Sequence, residues 1–191
     1  MTAALPIGPH AAQQDLVVLV DAEDRSLGVC PKFEAHHGAG RRHRAFSLFV
    51  TDGRGRWLLQ QRAWSKYHFA GRWSNTCCSH PRPGEGVVDA ARRRLREELA
   101  MSARDYQVLG RFEYRAEDPT SGRVEHEIDH VVIATALGPA RPDPTEVAAV
   151  RWLELAELRS AMAADPTSFT PWLALVLAEL HTTGPADRIP A

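Results

Sequence analysis

Short apolar runs joined by turn residues fill most of this sequence and commit the chain to hairpin-linked strands. Leu16–Val20 is such a run, rich in β-branched residues. Ala45–Thr51 and Trp57–Gln61 flank Asp52-Gly53-Arg54-Gly55, a hairpin signal. Tyr106–Tyr114 and Glu125–Ala136 form a second expected antiparallel pair, across a turn holding Asp118, Pro119 and Gly122. A last strand is expected at Ala149–Leu153. Helical periodicity is rarer. Val88, Ala91, Leu95 and Leu99 recur at spacings of three and four, which predicts an amphipathic helix over Val87–Met101. Glu154–Ala163 reads as a short helix ending before Pro166, and Thr170-Pro171 as an N-cap and N1 pair opening a helix through His181. Strands outnumber helices, so the fold class is α+β: mixed, mostly antiparallel sheets packed with a few helices, not a doubly wound parallel sheet.

The length of 191 residues suits one domain, here residues 15–181, between a flexible N-terminal arm (1–14) and a flexible tail (182–191). Lys and Arg number 23 against 24 Asp and Glu, a net charge of −1. Without a basic excess, a nucleic-acid partner is not expected, and any anion site has to be a local cluster of cations. Three cysteines, two of them adjacent (Cys77 and Cys78), make a poor disulfide framework and point to a reducing compartment. No apolar run approaches the roughly 18 residues that span a bilayer. Met1–Asp15 lacks a basic start and a continuous apolar core, so a cytoplasmic location without membrane partners is expected.

Several residues carry chemistry. In an extended segment, residues i and i+2 face the same side, so Cys78 and His80 share one site, and Glu125 and Glu127 repeat that geometry. His36 and His43 flank a glycine-containing loop that can fold back and bring both imidazoles together. Three imidazoles and two carboxylates suit Zn, Mn or Fe better than an all-oxygen Ca site. Arg94 and Glu98 share a face of the long helix, a pairing suited to Mg-bound phosphate. Alone, it reads rather as an ordinary ion pair on a solvated face. Lys32, Arg62 and Lys66 add cations beside these segments, and alone they read as scattered surface charge.

The stretch Glu85–Met101 resembles the Nudix box: Glu85, Arg93, Glu97 and Glu98 match it. Ser79 stands at its first glycine, Arg94 at a metal-binding glutamate, and Ala100 at its final glycine. The departures point to one branch. Arg72-Trp73-Ser74-Asn75-Thr76-Cys77-Cys78-Ser79-His80-Pro81 resembles the active-cysteine motif of type 1 isopentenyl diphosphate isomerases. That likeness extends in order through Ala35-His36 to His43, Arg62 to Lys66, Tyr114-Arg115-Ala116, Val124-Glu125-His126-Glu127 and Ser168-Phe169-Thr170-Pro171-Trp172. It covers about Leu16 to Leu180, and in this branch an arginine at 94 is expected.

The resemblance implies a single Nudix-like isomerase domain that interconverts isopentenyl and dimethylallyl diphosphate through a tertiary carbocation. His36, His43, His80, Glu125 and Glu127 are similar to the family's five ligands for one tightly bound divalent metal (Zn, Mn or Mg). Glu98 is similar to the ligand for Mg carried in with the diphosphate. Cys78 and Glu127 match the proton-transfer pair, Tyr114 the tyrosine assisting Glu127, and Trp172 the indole facing the hydrocarbon. Lys32, Arg62, Lys66 and Arg94 match the diphosphate clamp. Cys78 is expected to act as a thiolate, its pKa lowered by nearby cations. A small prenyl diphosphate is the expected partner, bound by a monomer or weak homodimer. The same residues leave open a protonation-initiated cyclase or isomerase of a longer prenyl diphosphate, a Nudix diphosphate hydrolase and a non-catalytic metal-binding module.

Overall fold

A computed structural model describes residues 16–182; the expected arm and all but the first residue of the expected tail fall outside the described residues. The chain runs β1 (Leu16–Val20), β2 (Ser26–Pro31), α1 (Lys32–Ala35), β3 (His43–Thr51), β4 (Arg56–Arg62), β5 (Trp73–Ser74), β6 (Cys77–Ser79), α2 (Val87–Leu99), β7 (Ala103–Glu117), β8 (Val124–Ala136), β9 (Val147–Glu154), α3 (Leu155–Ala164) and α4 (Leu173–Thr182). A 3₁₀ turn, Pro166–Ser168, joins the last two helices. No helix among the described residues is long and apolar enough to cross a membrane.

The strands form one mixed sheet organised around β3. Along one edge β3 runs parallel to β8 from His43↔Glu127 to Thr51↔Thr135. The opposite edge is shared in turn by β1 at His43, β6 at Phe46–Leu48 and β4 at Val50–Thr51, all antiparallel. A strand with a parallel neighbour is covered on both faces, and β3 shows it. Phe46, Leu48 and Val50 pack with Ala91, Leu95 and Leu99 of α2. Phe49 packs with Trp57, Leu173, Val176 and Leu177 on the side of α4. The α+β architecture therefore holds, with helices on both sides of the central strand.

Two helix boundaries differ from the sequence pattern by more than one residue. α2 stops at Leu99 because Ala100 takes a left-handed conformation (φ 44°, ψ 34°), its N–H donating to the Arg96 carbonyl. α4 starts at Leu173 and not at Thr170. The Thr170 N–H donates to the Trp73 carbonyl at 2.9 Å, and Phe169 bridges to Trp73, so this segment is still extended and tied to β5.

Candidate active site

The parallel register sets His43 level with Glu127. His80 follows β6, and His36 caps α1. One ligand-type atom from each of His36, His43, His80, Glu125 and Glu127 lies within 4.8 Å of every other. Backbone carbonyls fix two of the imidazoles. His36 Nδ1 donates to the Lys32 carbonyl at 2.6 Å, and His43 Nδ1 to the Arg41 carbonyl at 2.7 Å. Both rings therefore turn Nε2 into the cluster. His43 Nε2 lies 3.0 Å from His80 Nε2, and Glu127 Oε1 lies 3.3 Å and 2.9 Å from these two nitrogens. His36 Nε2 and Glu125 Oε2 lie 2.8 Å apart, yet both are buried with no hydrogen-bond partner among the described residues. Buried polar atoms are almost always satisfied. Lone pairs converging from three imidazoles and two carboxylates are mutually repulsive without a cation between them. The donor set fits a divalent metal.

The electrostatics follow from burial and pairing. Burial and the Glu125 charge push the Glu127 pKa up, but His43 and His80 outweigh them and hold it at about 2. Burial opposes ionisation of Glu125 too, yet His36 and His68 hold it well below the usual carboxylate range. Burial, aided by the His43 and Lys32 charges, brings His80 down to about 3. Burial disfavours charged His36, but the Glu125 carboxylate wins and raises its pKa. Tyr114 donates to the free oxygen of Glu127, Oε2, at 2.6 Å.

Cys78 sits on β6, across β3 from β8, and lines the same chamber as Tyr114, Glu127 and Trp172. Its thiol donates to Asn75 Oδ1 at 2.9 Å, and Trp172 Nε1 reaches both Cys78 Sγ and Ser74 Oγ at 3.0 Å. The expected thiolate is corrected here. Burial, followed by the Asp129 charge, pushes the thiol up to about 12, and contacts with Ser47 and Ser74 together with the Arg62 charge offset this only in part. The cations near Cys78 in sequence do not compensate for loss of water. Trp172 is buried, edge-on to Phe69 at 5.2 Å and 6.0 Å from Tyr114. It precedes α4 by one residue rather than opening it.

The four expected clamp cations, Lys32, Arg62, Lys66 and Arg94, all line that chamber of about 40 Å³. An adjoining cavity of about 440 Å³ shares Lys32, Lys66, His80 and Arg94 and adds Arg82, Arg93 and Glu146. Repulsion from Lys66, Arg94 and Arg62 joins burial in lowering the Lys32 pKa. Arg62 is buried, donating to the carbonyls of Phe69 (3.2 Å) and His68 (3.1 Å), with its guanidinium 5.7 Å from the Trp172 ring. Lys66 pairs with Glu146, whose other oxygen lies 3.3 Å from Arg94. Glu98 stands apart from the five-residue cluster. It is buried, gripped by Arg94 Nη2 at 2.7 Å and touched by the Cys77 thiol at 3.2 Å. Sequence reasoning missed His68, Ser47, Asn75, Asp129 and Glu146. Of these only Asp129 carried a signal, being i+2 from Glu127 on the same strand face.

A mixed sheet with helices on both sides, a helix ending Arg96-Glu97-Glu98-Leu99 and a buried His/Glu cluster suited to a divalent metal define a protein of the NUDIX class. Residues 41–173 match the NUDIX domain. The fold alone is shared with a solved structure from Deinococcus radiodurans (TM-score 0.66, 20% identity, 85% of this chain and 98% of that one). It is shared also with a MutT NUDIX hydrolase from Burkholderia pseudomallei (TM-score 0.58, 23% identity, 73% and 98%). Sequence relatives are far more similar. An isopentenyl-diphosphate Delta-isomerase of Nocardia farcinica is 53% identical over 84% of this chain and 91% of its own. One from Burkholderia multivorans is 46% identical over 83% and 89%. The chain belongs to the isopentenyl-diphosphate Delta-isomerase family of NUDIX-domain proteins.

Proposed function

We propose that the chain interconverts isopentenyl and dimethylallyl diphosphate, adding a proton to one carbon of a five-carbon unit and removing one from another. One observation carries this reading: Cys78 on β6 and the Glu127–Tyr114 pair on β8 and β7 line a single small chamber whose remaining lining includes Trp172 and four cations. An unactivated alkene is a very weak base, so its proton donor has to be aligned and shielded from water. Cys78 and Glu127 are the proton-transfer pair, burial raising the pKa of the first and the His43 and His80 contacts lowering that of the second. The two groups exchange roles when the reaction reverses. A divalent ion bound by His36, His43, His80, Glu125 and Glu127, whether Zn, Mn or Mg, would supply Lewis acidity to the Glu127 carboxyl. Glu98 would hold the Mg that enters with the diphosphate. Trp172 offers an indole face that stabilises a carbocation without attacking it, by about 2 kcal/mol when desolvated. Lys32, Arg62, Lys66 and Arg94 grip the diphosphate and hold the carbons in register with the two proton-transfer groups.

Arg94, bound by Glu97 at 2.8 Å and Glu98 at 2.7 Å where hydrolases carry a metal-binding glutamate, supports isomerisation over hydrolysis. The test is incubation with isopentenyl diphosphate in deuterated water. Dimethylallyl diphosphate bearing deuterium is the expected product. Released phosphate would instead mark a hydrolase, and cyclic products from ten- or fifteen-carbon diphosphates a cyclase.

A further inference from the structure

The two carboxylates of the His/Glu cluster are built alike. Each turns one oxygen toward imidazole Nε2 atoms and has the other held by a ring-borne donor outside the five-residue set. For Glu127 the inward atom is Oε1 and the outer oxygen accepts from Tyr114. For Glu125 the inward atom is Oε2, 2.8 Å from His36 Nε2, and the outer oxygen, Oε1, is in close contact with His68 Nε2. The terminal torsion of a glutamate is soft and roughly two-fold. A donor locked on one oxygen removes that freedom and leaves the other aimed.

We propose that His68 is a positioning residue for the metal site: its Nε2–H holds Glu125 Oε1 so that Oε2 faces the ion. The proposal rests on the metal site argued above and adds a group outside the five ligands. The surrounding structure is built to hold this ring. His68 is buried, its ring tilted 40° against Tyr67 with ring centres 4.2 Å apart and lying 5.5 Å from the His36 ring. Its carbonyl accepts from Arg62 Nη2 at 3.1 Å. The next residue, Phe69, sits at φ +47°, a conformation that is strained for a non-glycine residue and persists only where neighbours over-determine it. Here Asp118 accepts the Phe69 N–H at 3.1 Å, and Arg62 Nε donates to its carbonyl at 3.2 Å. Backbone strain at the residue after His68 is thus maintained by two buried polar contacts, which fits a side chain that has to be aimed.

The test is Mn(II) binding to the full chain, stripped with chelator and titrated at one pH while free Mn(II) is followed by electron paramagnetic resonance. Two variants separate donation from packing. His68→Phe keeps a ring against Tyr67 and loses the donor; His68→Gln loses the ring and keeps an N–H that reaches the same oxygen. His68→Phe is expected to weaken Mn(II) binding roughly 10–100-fold, the usual effect of removing such a partner. His68→Gln is expected to stay within a few-fold of the parent. A His68→Phe protein that binds like the parent overturns the role, and so do two variants weakened equally. A parent chain that takes up no Mn(II) fails differently: it overturns the metal site itself, and the His68 role with it.

Discussion

At the scale of single residues, the site works by dividing the two oxygens of each carboxylate. Glu127 Oε1 faces His43 and His80 while Oε2 accepts from Tyr114, so one side chain joins the cluster to the chamber. Glu127→Gln keeps the shape and removes the ionisable group, and Cys78→Ala removes the opposing thiol while Trp172 Nε1 retains Ser74 as acceptor. Each is expected to lower isomerisation by at least the roughly 10²–10⁴-fold that a positioned acid or base supplies. Steady-state rates, with near-ultraviolet circular dichroism as a check on the fold, measure this; substantial turnover by Cys78→Ala would remove the thiol from the mechanism. Much of this site was legible in the sequence, because a period of two places Glu125 with Glu127 and Cys78 with His80 whatever the rest of the fold does. Ser47 was not legible. Its hydroxyl donates to Asp129 at 2.7 Å across 82 positions, a contact that exists only through the β3–β8 register. The raised pKa of Cys78 was hidden for a related reason: a sequence displays neighbouring cations but not the burial that outweighs them.

At the scale of elements, α2 carries the box and closes one face of the sheet through Leu95 and Leu99, both fully buried. Leu95→Ala is expected to cost about 2–5 kcal/mol, read as a lower urea midpoint with unchanged slope. The end of the same helix makes the opposite prediction. Ala100 occupies the left-handed position that normally favours glycine. Ala100→Gly relieves a backbone cost of about 1–2 kcal/mol, offset by the greater freedom of glycine in the unfolded chain. A net gain of about 1 kcal/mol is expected, and a midpoint at or below the parent's would show that Ala100 is not strained. Helix α2 was visible in advance because its apolar spacing is a local property. The parallel pairing of β3 with β8 was not, since both strands had already been read as halves of hairpins and no local signal marks a second partner. The short elements α1, β5 and β6 span four, two and three residues, too few to show a period, although they position Lys32, Ser74 and Cys78.

At the scale of the molecule, the His/Glu cluster cross-links segments that are far apart in the chain: the end of α1, the start of β3, the residue after β6 and the first turns of β8. An ion held there stabilises the folded state by mass action, about 2.7 kcal/mol when the free ion is 100-fold above its Kd. Chelation is therefore expected to lower Tm by roughly 5–10 °C, at about 2–4 °C per kcal/mol for a domain of this size, and a divalent ion added back is expected to restore it. The chelated protein carries its own pH signature. Folded His80 titrates at about 3 against 6.5 when free, so between those values the unfolded chain binds the extra proton and stability falls as the medium is acidified. Folded Glu127, at about 2 against 4.5, adds a loss of the same sign at lower pH, and Glu125 does likewise. His36 acts in the opposite sense: its pKa is raised above 6.5, so its contribution is complete below 6.5 and disappears as pH climbs through the raised value. The chelated chain is thus expected to lose stability progressively from about pH 6.5 toward 3 in urea unfolding. A bound ion steepens that loss, because the same imidazoles and carboxylates must shed their protons to bind it. Unfolding curves that coincide with and without chelator at neutral pH would show that no ion draws these four segments together.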